Sequence, residues 1–308
     1  MDRRKFLKTG AAVVAAASFF PLGATENVHS APKTDGFPDV CPDAEKLKIR
    51  FLGTGAADWK GPDRRGEHRR LTSILVNGEF LIDYTETDFD MLPAGCRPRA
   101  IFYTHSHGDH YDPEAALKLG IRRVYLEKSW EMRAKSDFRK ASGQTGIPEP
   151  EITAIYPGAR VKESGLVITA LPANHATGHL NELALIYLIE SRDARVLYAT
   201  DTGGLPGVST RLASIDGHKE GTPITGLIME ATMGIGHEDD FRIFTHSSVD
   251  MVARTVRVLS STGRYTPKEG QSVWLTHLAR TLHGTQAELD KELPQPLKAA
   301  YDGLEISF

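Results

Sequence analysis

The residues best suited to chemistry form one short run, His-Ser-His-Gly-Asp-His, which starts at His105. Near the end of a strand, residues two apart project to the same side, so His105 and His107 can converge on one ion. Gly108 permits a turn, and that turn lets Asp109 and His110 face a neighbouring position. Four side chains able to bind a metal within six positions therefore predict a metal site rather than a solvated polar loop.

The histidine and cysteine counts restrict how a metal can be held. The chain of 308 residues contains 12 His but only 2 Cys, Cys41 and Cys96. Two thiols cannot form a four-cysteine zinc knuckle or an iron-sulfur centre, so histidine and carboxylate ligands are expected. Such ligands make Zn²⁺ the first choice and also accept Mn²⁺ or iron. The two cysteines could pair in an oxidising compartment or remain thiols.

The charge balance argues against a nucleic-acid partner. The formal net charge is -3 and the isoelectric point is near 6.5. Nucleic-acid binding relies on a basic face that neutralises phosphates. The expected partner is therefore a small-molecule substrate, with no nucleic acid. An exposed apolar edge would permit a homodimer, although no segment of the sequence demonstrates one.

The first residues resemble a twin-arginine export signal, because Arg3 and Arg4 precede a short apolar run from Ala11 to Phe20. A membrane-spanning helix takes about 20 apolar residues. This run has only ten residues before a proline, so no stable membrane anchor is expected. The resemblance implies a signal peptide over residues 1–31, contact with the twin-arginine translocation machinery during export, and a periplasmic location.

Hydrophobic patterning supplies the elements that must position the candidate ligands. Residues 32–46 are rich in Pro, Asp, Ser and Thr and form a linker to one domain of residues 47–308. Short apolar or alternating runs predict strands, among them 99–104, 167–171, 196–200, 225–229 and 273–276. Helical patterns lie at 113–119, 209–215, 247–260 and 285–292. This order predicts an α+β fold in which sheets pack together with helices outside.

Two stretches resemble the metallo-beta-lactamase superfamily. One is the His-x-His-x-Asp-His run at 105–110, and the other is Phe-Leu-Gly-Thr-Gly at 51–55, which is similar to the first strand and turn of that family. Later motifs follow in the family's order, so the resemblance covers residues 47–308. It implies an αββα sandwich of two mixed β-sheets with outer helices.

Three later motifs supply the remaining ligands that the resemblance implies. They are Asn-His at His175, Tyr-Ala-Thr-Asp at Asp201 and Trp-Leu-Thr-His at His277. In the family, the residue that matches Asp201 bridges two divalent metal ions. One ion would be held by His105, His107 and His175. The other would be held by Asp109, His110 and His277.

The second half of the chain is similar to the phosphoribosyl cyclic phosphodiesterase branch of phosphonate degradation. The similar stretches are 200–206, 275–278 and 301–304, in the same order as in that branch. Thr-His-Ser-Ser around His246 stands where those enzymes carry an active-site histidine. That branch also has a cysteine-rich metal loop, and residues 53–70 contain no cysteine. The resemblance therefore implies the reaction class, hydrolysis of a phosphodiester, but not a role in the phosphonate pathway.

The resemblance implies an exported binuclear hydrolase, first of all a phosphodiesterase that could act on cyclic phosphodiesters. A hydroxide between the two ions would attack phosphorus, Asp109 would help to orient it, and His246 would protonate the leaving alkoxide. The same hydroxide could attack the carbonyl of a lactone or another ester. A non-catalytic exported metal-binding protein is the third alternative. Arg65, Arg69 and Arg70 could contact a phosphate or form a solvated basic loop.

Overall fold

The middle strands of the chain are apolar on both faces, so structure must cover them on both sides. In the computed structural model, which describes residues 46–217 and 221–308, Ala100 and Phe102 point to one side of their strand and Ile101 points to the other. All three side chains are fully buried. A strand buried on both faces lies in the interior of a layered structure.

The first sheet has seven strands, with three antiparallel pairings followed by three parallel ones. Its order across the sheet runs from the last strand of the chain, through the first, to the sixth. In chain order the strands are β1 (Lys48–Gly53), β2 (Ser73–Val76), β3 (Phe80–Ile82), β4 (Ala100–Phe102), β5 (Arg123–Glu127), β6 (Glu151–Ile155) and β14 (Glu305–Ser307).

The second sheet repeats this plan, again with three antiparallel and then three parallel pairings. Its strands lie side by side in chain order. They are β7 (Arg160–Glu163), β8 (Leu166–Pro172), β9 (Leu185–Glu190), β10 (Arg195–Ala199), β11 (Gly226–Glu230), β12 (Val273–Thr276) and β13 (Leu297–Ala299). Strands β10 to β13 are parallel, so their carboxyl ends lie at one edge.

Helices cover the outer face of each sheet. The first sheet is covered by α1 (Pro113–Leu119) and α2 (Glu131–Thr145), which contribute Leu117 and Phe138 to its outer core. The helices on the second sheet are α3 (Gly207–Leu212), α4 (Val249–Ser261) and α5 (Gln286–Glu292). The prediction of an α+β fold, with an αββα sandwich of two mixed sheets and outer helices, is confirmed.

Aromatic packing joins the two sheets. The Phe102 ring of β4 stacks on Tyr125 of β5 at a centroid distance of 4.5 Å and meets Tyr187 of β9 edge-on at 5.8 Å. Phe102 and Tyr187 are both fully buried. Since Tyr187 belongs to the second sheet, this cluster fixes one sheet against the other close to the strand that leads into His105.

Sequence patterns located most elements and missed three. The helix predicted at 113–119 has those bounds, and the predicted strands agree with the observed ones within two residues at each end. The longest helix, α2, was not predicted because only Ala134, Phe138 and Ala141 mark its apolar face. The short strands β7 and β13 were also missed. Strand β7 is a sheet edge with alternating exposure, so its sequence resembles that of a loop.

Several predictions concern residues 1–45, which lie outside the described residues. They include the signal peptide, nearly all of the linker, and Cys41 as a partner for Cys96; all stay predictions. The Cys96 Sγ lies 3.3 Å from the carbonyl oxygen of Gly78. Within residues 46–217 and 221–308, no helix has the length and apolar character needed to cross a membrane.

The inter-sheet core predicts a large stability cost for Phe102→Ala. Removing this ring leaves a cavity between the sheets, so the free energy of unfolding should fall by about 3–5 kcal/mol. Phe89→Ala is the matched control, because that ring is 64% exposed and its loss should change stability by less than about 0.5 kcal/mol. Urea unfolding measures both, and equal losses would contradict the packing described.

Candidate metal centre

The candidate ligands lie just after strands whose ends meet in one region of the sandwich. Strand β10 ends two residues before Asp201, and β12 ends one residue before His277. Strands β4 and β8 each end three residues before a histidine, His105 and His175. In α/β structures, ligands bind outside the carboxyl ends of the strands because the loops that leave the sheet there can converge.

Three polar residues at these strand ends adopt the left-handed backbone conformation. The φ angles are 47° at Asp201, 55° at His277 and 58° at Asp83. For residues other than glycine this conformation costs about 1–3 kcal/mol, and it persists where the surrounding contacts over-determine it. Such residues concentrate at functional sites. The left-handed backbone conformation is therefore a feature that these three positions share in addition to their polar side chains.

Three histidines form the first cluster. The Nε2 of His105 lies 2.9 Å from the Nδ1 of His107, and that Nδ1 lies 3.2 Å from the Nε2 of His175. All three ligand atoms lie within 4.8 Å of one another. This is the trio that the family resemblance assigns to one ion.

Two histidines and a carboxylate form the second cluster. The Oδ2 of Asp109 lies 3.3 Å from the Nε2 of His110 and 3.4 Å from the Nε2 of His277. The two imidazole nitrogens are 3.4 Å apart. This is the trio assigned to the other ion.

Asp201 stands between the clusters. Its Oδ2 lies 3.0 Å from the Nε2 of His110 and 3.3 Å from the Nε2 of His277, whereas its Oδ1 lies 3.8 Å from the Nε2 of His175. One carboxylate oxygen therefore faces each cluster, which is the arrangement that a bridging ligand needs. All seven side chains named from the sequence as metal ligands are brought together here.

The spacing within each cluster matches the coordination sphere of a metal ion. A tetrahedral ion with bonds near 2.05 Å separates its ligand atoms by about 3.3 Å. The closest separations run from 2.9 Å between His105 and His107 to 3.4 Å between His110 and His277. Each cluster therefore has the size that a first-row divalent ion requires.

Hydrogen bonds behind the histidines decide which ring nitrogen carries the proton. The Thr104 hydroxyl donates to Asp83 at 2.7 Å, so its oxygen accepts from the Nδ1 of His105 at 3.0 Å. The Nδ1 of His110 donates to the same Asp83 carboxylate at 2.7 Å. Assigned from this network, both rings donate from Nδ1 and turn Nε2 toward the clusters, where its lone pair can bind a metal ion that replaces a proton.

The same assignment holds for the other two Nε2 ligands. The Thr232 hydroxyl donates to Glu230, so it accepts from the Nδ1 of His277 at 2.8 Å. The Nδ1 of His175 donates to the carbonyl oxygen of Thr245 at 3.1 Å. The Nε2 atoms of four imidazoles and the carboxylate oxygens therefore face one another and can all bind a cation placed between them. Such a set fits divalent cations, which the seven residues could hold.

The electrostatics of the second cluster also favours positive charge. Burial alone would lower the pKa of His110, but the carboxylates of Asp201, Asp109 and Asp83 outweigh it and hold this pKa well above its usual value. Burial would likewise raise the pKa of Asp201, yet His277 and His110 hold it well below its usual range. The carboxylates of Asp109 and Asp201 therefore stay ionised at neutral pH and stabilise a cation between them.

His246 lies beside the clusters and pairs with a buried glutamate. Its Nδ1 is 3.2 Å from each carboxylate oxygen of Glu230 and 3.7 Å from the Oδ1 of Asp201. Burial alone would lower the pKa of this imidazole. The charge of Glu230 and its hydrogen bond oppose this effect and raise the pKa to about 9. His246 is therefore protonated at neutral pH, which makes it a proton donor rather than an obvious metal ligand.

A cavity of about 410 Å³ gives access to both clusters. His107, Asp109 and His246 line it together with Arg242, whose guanidinium also pairs with Asp240 at 2.6 Å. The remaining wall comes from residues 56–58, His175, Asp201, Thr232, His277, Ala279, Thr281 and Leu282. The cavity thus combines candidate metal ligands with two cationic groups.

The three arginines that the sequence offered for phosphate binding are engaged elsewhere. Arg65 pairs with Asp63 and Glu288, and buried Arg69 donates to the Thr54 hydroxyl and the Ala300 carbonyl. Arg70 pairs with Asp90 and Asp302. None of the three is among the residues that line this cavity. Arg242, which the sequence did not single out, takes the position expected of them.

Sequence reasoning also missed Asp83, Glu230 and Thr232, which support the ligands without being ligands. Asp83 directly follows strand β3, and Glu230 is the last residue of β11. A carboxylate at the end of an apolar strand was the only local signal. Two other histidines of the chain are not ligands in either cluster: His179 is exposed, and the Nε2 of His283 donates to the carbonyl oxygen of Ala231.

The sequence matches one family, described as the beta-lactamase superfamily domain, over residues 91–271. No curated protein matches it. Similar solved structures include the metallo-beta-lactamase fold protein YhfI from Bacillus subtilis, at 15% identity and a TM-score of 0.59, over 86% of this chain and 100% of that one.

Two other solved structures are similar to the same extent. The short form of human tRNase Z has 18% identity and a TM-score of 0.60, over 84% of this chain and 98% of that one. Zn²⁺-bound PqqB from Methylobacterium extorquens has 16% identity and a TM-score of 0.58, over 85% of this chain and 100% of that one. At these identities the likeness concerns the fold.

Asp83→Asn should lower divalent-metal affinity by about 10- to 100-fold, because the amide replaces one of the two oxygens that accept from Thr104 and His110 and removes the negative charge behind the imidazole. Competition with a chromophoric chelator measures this change. Asp88→Asn is the matched control: that carboxyl is also fully buried, but it bonds Thr85 and Thr87 rather than a histidine. Equal affinities for the two variants would contradict the support assigned to Asp83.

Proposed function

Because the chain belongs to the beta-lactamase superfamily, we propose that it is a binuclear metal-dependent hydrolase that cleaves phosphodiesters. One observation carries the proposal. Asp201 directs one carboxylate oxygen to each of two clusters of candidate ligand atoms, and this arrangement opens into a cavity with cationic groups in its wall. The shared carboxylate suits two ions close together, and the cationic groups suit an anionic substrate.

Divalent ions in the two clusters would supply Lewis acidity, which lowers the pKa of bound water to about 7 and makes it a nucleophile at neutral pH. Zn²⁺ is the proposed metal, because all the ligands are nitrogen or oxygen donors at zinc spacing. PqqB, which has a similar fold, is Zn²⁺-bound. The same donors accept Mn²⁺ or iron.

Asp109 and His246 are the proposed catalytic residues. Burial would raise the pKa of Asp109, but His110 and His277 hold it well below its usual range, so the carboxylate stays ionised. It can therefore orient an attacking water by accepting a hydrogen bond. His246 lines the cavity with its Nδ1 occupied by Glu230, which leaves Nε2 to protonate the departing alkoxide.

Two cationic side chains in the cavity wall favour a phosphodiester over a neutral ester. A phosphodiester carries a negative charge through the reaction, and Arg242 and protonated His246 can both interact with it. A neutral lactone or ester gains nothing from two cations in its ground state. Human tRNase Z, a ribonuclease by its name, has a similar fold. The acidic balance of this chain argues for small phosphodiesters rather than RNA.

A substrate panel tests this proposal on one zinc-loaded preparation. Bis-aryl and cyclic phosphodiesters should turn over, whereas lactones, thioesters and beta-lactams should not. Asp201→Ala should lower kcat/KM by at least about 10³-fold, because it removes the ligand common to both ions. His179→Ala is the control, since this histidine is exposed and outside the cavity lining. Turnover of acyl substrates alone would replace the phosphodiesterase by an acyl hydrolase.

The His246–Glu230 pair predicts a pH dependence. A proton donor with a pKa of about 9 is active below that pH, so kcat should fall as the pH rises through about 9. Glu230→Gln removes the group that raises this pKa, and the alkaline limb should move toward the ordinary histidine value of about 6.5. A kcat profile between pH 6 and pH 10 for both proteins measures the shift; an unmoved limb would assign it to another group.

Two substrates whose leaving groups differ in their need for a proton test the role of His246 as proton donor. His246→Ala should slow cleavage of an alkyl phosphodiester by about 10²- to 10⁴-fold. The same variant should have little effect on a p-nitrophenyl ester, whose leaving group departs without protonation. Equal losses on both substrates would mean that His246 acts on binding rather than on the leaving group.

A further inference from the structure

We propose that Glu182 is a positioning residue for the first cluster and not for the second. This inference rests on the proposed function, because it takes His105, His107 and His175 to be metal ligands. Glu182 itself does not line the cavity. Its effect would pass through the backbone that carries the ligands.

Glu182 binds the residue between two of these ligands. The backbone N–H of Ser106 donates to the Oε1 of Glu182 at 2.8 Å, and the Ser106 hydroxyl donates to the Oε2 at 2.7 Å. Both carboxylate oxygens are therefore used to hold Ser106. Because His105 and His107 flank this residue, its position sets the separation of their ligand nitrogens.

Glu182 also belongs to the loop that carries the third ligand. That loop is closed by the hydrogen bond from the Ala173 N–H to the Ala184 carbonyl at 2.9 Å, and His175 lies between these residues. The Glu182 N–H donates to the carbonyl oxygen of His179 at 3.0 Å within the loop. One side chain thus ties together the two loops that supply the first cluster.

The surroundings of Glu182 make this a fixed anchor. Its side chain is 1% exposed and forms an ion pair with Arg133 on helix α2. The Arg133 guanidinium lies over the Trp130 ring, 5.6 Å from its centroid. A buried carboxylate that is paired and fully hydrogen-bonded cannot shift without losing these contacts, so it transmits the position of α2 to Ser106.

Glu182 does not contact the supports of the second cluster. His110 is held by Asp83, which also supports His105 through Thr104, and His277 is held by Thr232. The side-chain hydrogen bonds found for Glu182 in the described part of the chain go to Ser106 and Arg133. Loss of the Glu182 carboxylate should therefore weaken one site and spare the other, whereas a general loss of folding would weaken both.

Single-site backgrounds separate these outcomes. His277→Ala keeps the first cluster, and His105→Ala keeps the second. Adding Glu182→Ala should lower Co²⁺ affinity by about 10- to 100-fold in the His277→Ala background. The change should stay below about threefold in the His105→Ala background, where no contact is lost. Titration followed by the visible absorption of bound Co²⁺ gives both affinities and the ligand geometry without any activity assay.

Two further variants guard against a folding artefact. Glu182→Gln keeps an acceptor for the Ser106 N–H and gains a donor for its hydroxyl but loses the acceptor for Arg133, so it should restore part of the affinity that Glu182→Ala loses. Glu131→Ala removes another ion-paired glutamate, bound to Lys128 and Lys135, and should change neither affinity. If Glu182→Ala does not fold, the Gln variant and Ser106→Ala, which loses only the hydroxyl bond, carry the comparison.

Each outcome bears on one claim. Equal changes in the two backgrounds, or no change in either, would overturn the inference about Glu182 and leave the proposed function standing. A wild-type protein that binds no divalent metal would remove the proposed function itself. A loss of Co²⁺ affinity in the first cluster alone, partly restored by Glu182→Gln, supports the role proposed for Glu182.

Discussion

The structure depends on holding electron-rich atoms together against their mutual repulsion. Nitrogen and oxygen atoms of the two clusters approach to between 2.9 and 3.4 Å. The bonds to Asp83 and Thr232 turn the Nε2 atoms of His110 and His277 toward Asp109 and Asp201. A cation between these atoms makes such contacts favourable, so the clusters, their hydrogen-bonded supports and the left-handed backbone at Asp201 all suit a bound metal ion.

The αββα sandwich supplies the rigidity that this clustering requires. Strands β4, β8, β10 and β12 are buried in sheets covered on both faces, and a first ligand residue follows each strand end within one to three positions. The positive φ angles at Asp201 and His277 then turn the chain sharply where regular strand geometry stops. Aromatic packing around Phe102 keeps the two sheets in register next to the first cluster.

The local sequence alone predicts the site where several residues able to bind a metal lie close together in the chain. The run from 105 to 110 predicts a metal site by itself, and short apolar runs predict most strands. His175, Asp201 and His277 have no such local signal and were found through resemblance to a family. Their supports were missed because hydrogen bonds such as Asp83 to His110, or Glu182 to Ser106, join segments whose proximity only the folded chain reveals.

Anomalous diffraction at the zinc absorption edge, from crystals of protein loaded during folding, tests the central claim most directly. The account predicts two peaks about 3.5–4 Å apart. One should be bound by His105, His107 and His175 and the other by Asp109, His110 and His277, with one Asp201 oxygen on each. A single peak, or two peaks that do not share Asp201, would contradict a binuclear centre.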